Sequence, residues 1–179
     1  GEVIETSKGQ IMLQRAGMLY VNGLFVCETE FKYSYNIKPE FLRLERDRQT
    51  VSSFNLGFIT KDMWFESGRS KQIADLIGEK APELEYACYG TPEVVKEACY
   101  QHFRKQYPDE ILAGSKSELD ELVAKGLTKV VYIGGGTYSD IVRSAPSYKP
   151  TVPVSVTPAQ ALQEWFSANR QYLRTPAIV

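Results

Sequence analysis

The sequence predicts an α+β fold. Three observations carry that expectation. Short runs rich in β-branched and aromatic residues crowd the first third of the chain, helical spacings follow, and a strand–helix–strand–helix alternation begins near residue 109. They divide the chain into a β-rich subdomain with a hairpin and packed helices over 1–68, a helical linker over 69–108, and a small α/β unit with a C-terminal helix over 109–179.

The β-rich part is read from "VIET", "IMLQ", "MLYV", "LFVCET" and "YSYNI", which Gly or charged residues separate. In "MLYVNGLFV" the pair Asn22-Gly23 sits between two apolar runs, as a two-residue type I′ turn requires, because both central residues need positive φ. "FKYSYN" alternates Phe31, Tyr33 and Tyr35 with polar residues, the period of a half-buried strand.

Helical spacing takes over across 48–80. Val51, Phe54, Phe58 and Ile59 give a loose stripe that Gly57 weakens. "SKQIADLIGEK" is clearer, with Ser70 as the expected cap and Ile73, Leu76 and Ile77 facing inward. Two later helices each open on Thr-Pro, at 91–92 and 157–158, where Thr suits the N-cap and Pro the first helical position. The second carries Ala161, Leu162, Trp165, Phe166, Asn169, Tyr172 and Leu173 on one stripe, so this face is expected to be buried. Between them, Ser115 and Glu118 form a capping box, Leu119, Leu122 and Val123 an apolar face, and Gly126 the stop. "TKVVYI" is an unbroken apolar run, expected of a parallel strand covered on both faces.

Composition excludes several function classes. A net charge of −1 supplies no global field toward nucleic acid, so nucleic-acid binding is not indicated. No run of about 18 apolar residues offers a membrane span. Cys27, Cys88 and Cys99 form no CxxC pair and cannot all pair internally, which suits a reducing, cytoplasmic compartment. With one histidine, His102, and dispersed cysteines, no metal site is expected. His102 lies beside Phe103 with no triad partner visible, so a structural or surface role is expected of it. Gly1 in place of Met reads as a tag scar or processed end, so the chain is expected to be a fragment of something longer.

Two stretches offer chemistry. "FLRLERDRQTV" (41–51) places Arg43, Arg46 and Arg48 among Glu45 and Asp47. It reads either as a solvated edge, whose ion pairs contribute roughly 0–1 kcal/mol each, or as a presenter of one guanidinium to a phosphate. "VVYIGGGTYSD" (130–140) runs a strand through Gly134, Gly135 and Gly136 into a helix, a geometry in which backbone N–H groups can cradle phosphate. It matches neither GxGxxG nor a P-loop, and a plain strand-to-helix turn is the other reading.

The hairpin followed by "LERDRQTV" resembles the second, transducer region of ATPases of the gyrase–chaperone–histidine-kinase–MutL (GHKL) superfamily, most closely phage proteins of the rIIA type. The resemblance covers residues about 18–60. It implies that Arg48 contacts the γ-phosphate in the parent protein, with Arg46 and Gln49 beside the nucleotide. It also implies ATP and Mg²⁺ as cofactors of that parent, an upstream ATP-binding domain of the same chain as partner, and a bacterial or phage-infected cytoplasm. A homodimer stays open. The chaperone pattern has glutamine four residues after its arginine, where this chain has Ser52. Neither a helix with the Mg²⁺-binding asparagine and catalytic glutamate nor a glycine-rich lid is found. The expected role is therefore to couple nucleotide state to conformational change or partner binding, with no cofactor and no ATP turnover for this piece alone. The alternative is a non-enzymatic binding module, for a ligand or a protein, with a phosphate-binding loop at Gly134–Gly136.

Overall fold

A computed structural model describes residues 1–42 and 53–149, together with the helical positions Leu162, Gln163, Trp165 and Ser167. The fold is α+β. Strands β1 (Val3–Thr6), β2 (Gly9–Met12), β3 (Met18–Val21), β4 (Leu24–Glu28) and β5 (Ser34–Ile37) form one sheet in the order β1-β2-β5-β3-β4. The last strand thus enters between two hairpins. It pairs antiparallel with β2 and parallel with β3, with Leu19 opposite Tyr35.

Alternation sets the sheet's faces. Ile4, Ile11, Leu19, Val21, Tyr35 and Ile37 are buried on the inner one. Asn22 (φ 50°) and Gly23 (φ 78°) both take positive φ, as the sequence predicts for this turn. The fifth strand starts at Ser34, not at Phe31. The physical reason is Glu83, whose buried carboxylate accepts the Lys32 N–H at 3.0 Å and the Tyr33 N–H at 3.2 Å, so those amides serve a side chain instead of a ladder.

Helix α1 (Ser53–Ser67) lies against the inner face. Ser7 donates its amide to Glu66 at 2.7 Å, and Lys8 pairs with Asp62 at 2.6 Å. Helix α2 (Ser70–Gly78) and a 3₁₀ turn at Pro82–Leu84 pack on its other sides. Leu56, Ile59, Thr60, Lys61, Met63 and Trp64 are all buried, so α1 is covered nearly all round, which explains the weak stripe in its sequence. Gly57 leaves room for the Tyr86 ring, whose Cδ2 would stand 2.6 Å from a Cβ there. At the centre, Trp64 Nε1 donates to the Tyr35 hydroxyl at 2.7 Å, which donates to Glu83 at 3.2 Å. Burial, then the Glu83 charge, raises the Tyr35 pKa well above its ordinary value.

Two cap assignments change. Arg69, not Ser70, occupies the N-cap of α2. Pro92, not Thr91, stands at the N-cap of α3 (Glu93–Gln106), because the Thr91 hydroxyl turns back to the Ala87 carbonyl.

Beyond α3, β6 (Ile111–Leu112), α4 (Lys116–Ala124), β7 (Val130–Val131) and α5 (Thr137–Ser144) give the expected alternation, with β6 and β7 parallel. The "TKVVYI" run narrows to Val130–Val131, since its ladder has one neighbour only. The pair is nonetheless covered on two faces. Ile111, Ala113 and Val130 pack with Leu122 of α4, while Leu112 and Val131 join the main core with Ile141 and Val142 of α5. Ser115 caps α4, accepting the Glu118 N–H at 3.0 Å, but Glu118 reaches back to the Gly114 amide, one residue beyond the box expected. Gly126 N–H to Val123 and Leu127 N–H to Leu122 close the helix as a Schellman turn. Val123 is exposed instead of facing inward, and so are Leu162 and Trp165, where the apolar spacing predicts burial. No helix among the described residues is long and apolar enough to cross a membrane.

Candidate functional site

The site grows from the end of α2 and the link from β7 to α5, which the core holds together. Helix α2 ends at Gly78, and its last carbonyls are closed by Lys80 N–H to Ile77 at 3.0 Å and Ala81 N–H to Leu76 at 2.9 Å. This is again a Schellman turn, but with Lys80 (φ 58°) in the left-handed position that glycine usually fills. Opposite it, the chain leaves β7 through Ile133 and crosses Gly134 (φ 86°) and Gly136 (φ 133°), conformations that side chains other than hydrogen resist. It then starts α5 with Gly136 at the N-cap.

Between the two lies a cavity of about 420 Å³. Ile77, Ala81, Pro82, Leu84 and Ile133 give it an apolar wall, and the glycine loop with the first turn of α5 a polar one. Thr137 fixes the second wall to the first, its hydroxyl donating to the Glu85 carbonyl at 2.8 Å. The Gly135 amide donates to the Tyr132 hydroxyl at 3.0 Å. The N–H groups of Thr137, Tyr138 and Ser139 have no acceptor one turn earlier within α5, as at any helix start, and the helix dipole adds positive potential there.

Ser139 lines the cavity, is 2% exposed, and its Oγ has no hydrogen-bond partner among the described residues. A buried hydroxyl without a partner costs free energy, so its presence at this wall is informative. Three residues with charged side chains also line the cavity: Lys80, Glu30 and Glu85.

Behind the polar wall stands a hydrogen-bonded pair, with a carboxylate nearby, that the sequence hides. His102 Nδ1 lies 2.7 Å from the Tyr138 hydroxyl, and its Nε2 lies 3.5 Å from Asp75. The ring packs against Gly78, where a Cβ would meet its Cε1 at 2.7 Å. Burial, ahead of its charged neighbours, raises the Tyr138 pKa. The lone histidine, read as a structural or surface residue without partners in view, thus joins α2, α3 and α5 and positions the start of α5.

Of the residues singled out from sequence, Gly134, Gly135 and Gly136 are brought together at this cavity. Arg43, Arg46, Arg48 and Gln49 lie outside the described residues. Lys80, Ser139 and Tyr138 were not singled out. A signal existed for Ser139, the third residue of a helix entered from three glycines, but none marks Lys80. No group of three or more His, Cys, Asp or Glu that could hold a metal occurs among the described residues. No model of a protein family matches the chain, and neither does any curated protein or solved structure.

Proposed function

We propose that this chain is a binding module for a phosphorylated small molecule, seated where Gly134–Gly136 lead into α5. The observation that carries the reading is Ser139: a hydroxyl buried without a partner among the described residues, at the first turn of a helix, in the wall of a cavity large enough for an organic ligand. A phosphate oxygen there would receive first-turn N–H bonds and the Ser139 hydroxyl, with Lys80 supplying positive charge. The test is titration of labelled protein with inorganic phosphate, following the amides of Gly134–Ser139. The reading predicts saturable shifts there; unmoved signals at millimolar phosphate would remove it.

A second reading is the coupling role in a GHKL-type ATPase. What favours it is the Asn22-Gly23 hairpin, followed in sequence by "LERDRQTV". In this reading Arg48 reaches the γ-phosphate of ATP–Mg²⁺ held by an upstream domain of the same chain, Arg46 and Gln49 flank it, and a homodimer stays open. Cys27, Cys88 and Cys99 are all free, which suits a cytoplasmic setting for either reading. In the parent protein, Arg48→Ala is expected to lower turnover about 10²–10³-fold while sparing ATP binding. Equal, small effects from Arg43→Ala, Arg46→Ala and Arg48→Ala would return the tract to a solvated edge.

A further inference from the structure

We infer that the ligand of this cavity is a phosphomonoester whose body is a flat ring system bearing hydroxyl or amino donors, the nucleoside monophosphate class, with Lys80 facing its phosphate and Glu30 and Glu85 accepting from its body. The inference rests on the phosphate-binding reading above and adds what the rest of the cavity selects.

Lys80 is the first support. It holds a left-handed backbone (φ 58°) at a helix end, a position that disfavours any residue with a Cβ. Its Nζ comes within 3.7 Å of the point where a Gly134 Cβ would stand, which puts the ammonium against the glycine loop. Among the described residues this ammonium makes no ion pair. A glycine would hold this turn without that strain.

The second support is the balance of charge. One lysine and two glutamates line the cavity, and among the described residues neither Glu30 nor Glu85 is ion-paired. Asp140 adds another acidic group on the exposed side of the first turn of α5. For a bare inorganic anion the glutamates weaken, without abolishing, the attraction of Lys80 and the α5 N-terminus. A ligand that carries an anion at one end and hydrogen-bond donors at the other turns the same carboxylates into acceptors. The apolar wall of Ile77, Ala81, Pro82, Leu84 and Ile133 then favours a body with a flat apolar face over a bare sugar phosphate.

Calorimetric titration of the full chain with inorganic phosphate, ribose 5-phosphate and adenosine 5′-monophosphate tests this, with Gly134–Ser139 amide shifts reporting the location. The nucleotide is expected to bind about tenfold tighter than inorganic phosphate or better, with the sugar phosphate between them. Lys80→Gly should weaken all three by about tenfold, the scale of one charge-assisted contact, while its melting temperature holds or rises. The double variant Glu30→Gln with Glu85→Gln should move the probes in opposite directions, tightening inorganic phosphate and loosening the nucleotide. If phosphate binds and the nucleotide gains nothing, or the double variant tightens both alike, the assignment of the body is overturned and the phosphate site stands. If no probe moves Gly134–Ser139, the site and the inference fall together.

Discussion

Ser139→Ala separates a binding residue from a folding residue, because the two roles predict opposite signs. The Ser139 hydroxyl is out of water and has no partner among the described residues. Leaving such a group unmet costs about 1–3 kcal/mol. Alanine removes that cost, keeps the Cβ packing, and has a higher helix propensity by up to about 0.5 kcal/mol. Against this stands a small cavity the size of one oxygen. The net expectation is a gain of about 1–2 kcal/mol, which for a chain of this size raises the melting temperature by about 2–8 °C. The assay is a pair of thermal melts and urea titrations on the parent and variant proteins, followed by phosphate titration of both. Higher stability with weaker phosphate binding is the predicted pair. A lower melting temperature would refute the reasoning, since it would mean that the hydroxyl contributes to the fold.

Other expected outcomes follow from particular contacts. Gly23→Val should destabilise by about 1–2 kcal/mol through backbone strain alone, because φ is 78° there and no atom lies within 4 Å of the added Cβ; a melt indistinguishable from the parent would contradict the turn. Gly78→Ala should cost about 1–3 kcal/mol despite the better helix former, because its Cβ would lie 2.7 Å from the His102 ring and the ring must move. The same change in a His102→Ala background should cost little, and a cycle without that coupling would refute the contact. Tyr35 and Tyr138 both have raised pKa values, each chiefly through burial. Their neutral forms are favoured in the folded state, so their stabilising contribution is complete below about pH 10 and is lost as pH rises past that unfolded-state value. A urea stability profile that stays flat from neutral pH to well above that point would contradict it.

Much of the fold was legible because local rules decide it. The Asn22-Gly23 turn, the five strand runs and the Ser115 and Gly126 helix signals are fixed by backbone preferences within a few residues. What escaped depends on partners distant in sequence. The insertion of β5 between two hairpins is a choice among long-range pairings that alternation does not rank. Helix α1 lacks a stripe because it is buried nearly all round, and the strand expected from Phe31 is shortened because Glu83, far along the chain, takes two of its amides. The same division holds at the site. Three glycines between a strand and a helix are visible in sequence, whereas the Lys80 backbone, the unpartnered Ser139 and the His102–Tyr138 pair exist only once α2, α3 and α5 meet.

The central claim is that the glycine loop and the first turn of α5 receive a phosphate. The most direct measurement is an amide-resolved titration of the full chain with inorganic phosphate, with Ser139→Ala as the paired control. The account predicts saturable shifts confined to Gly134–Ser139 and Lys80, and a weaker affinity in the variant. Shifts scattered over the surface without saturation, or an affinity that Ser139→Ala leaves unchanged, would contradict it.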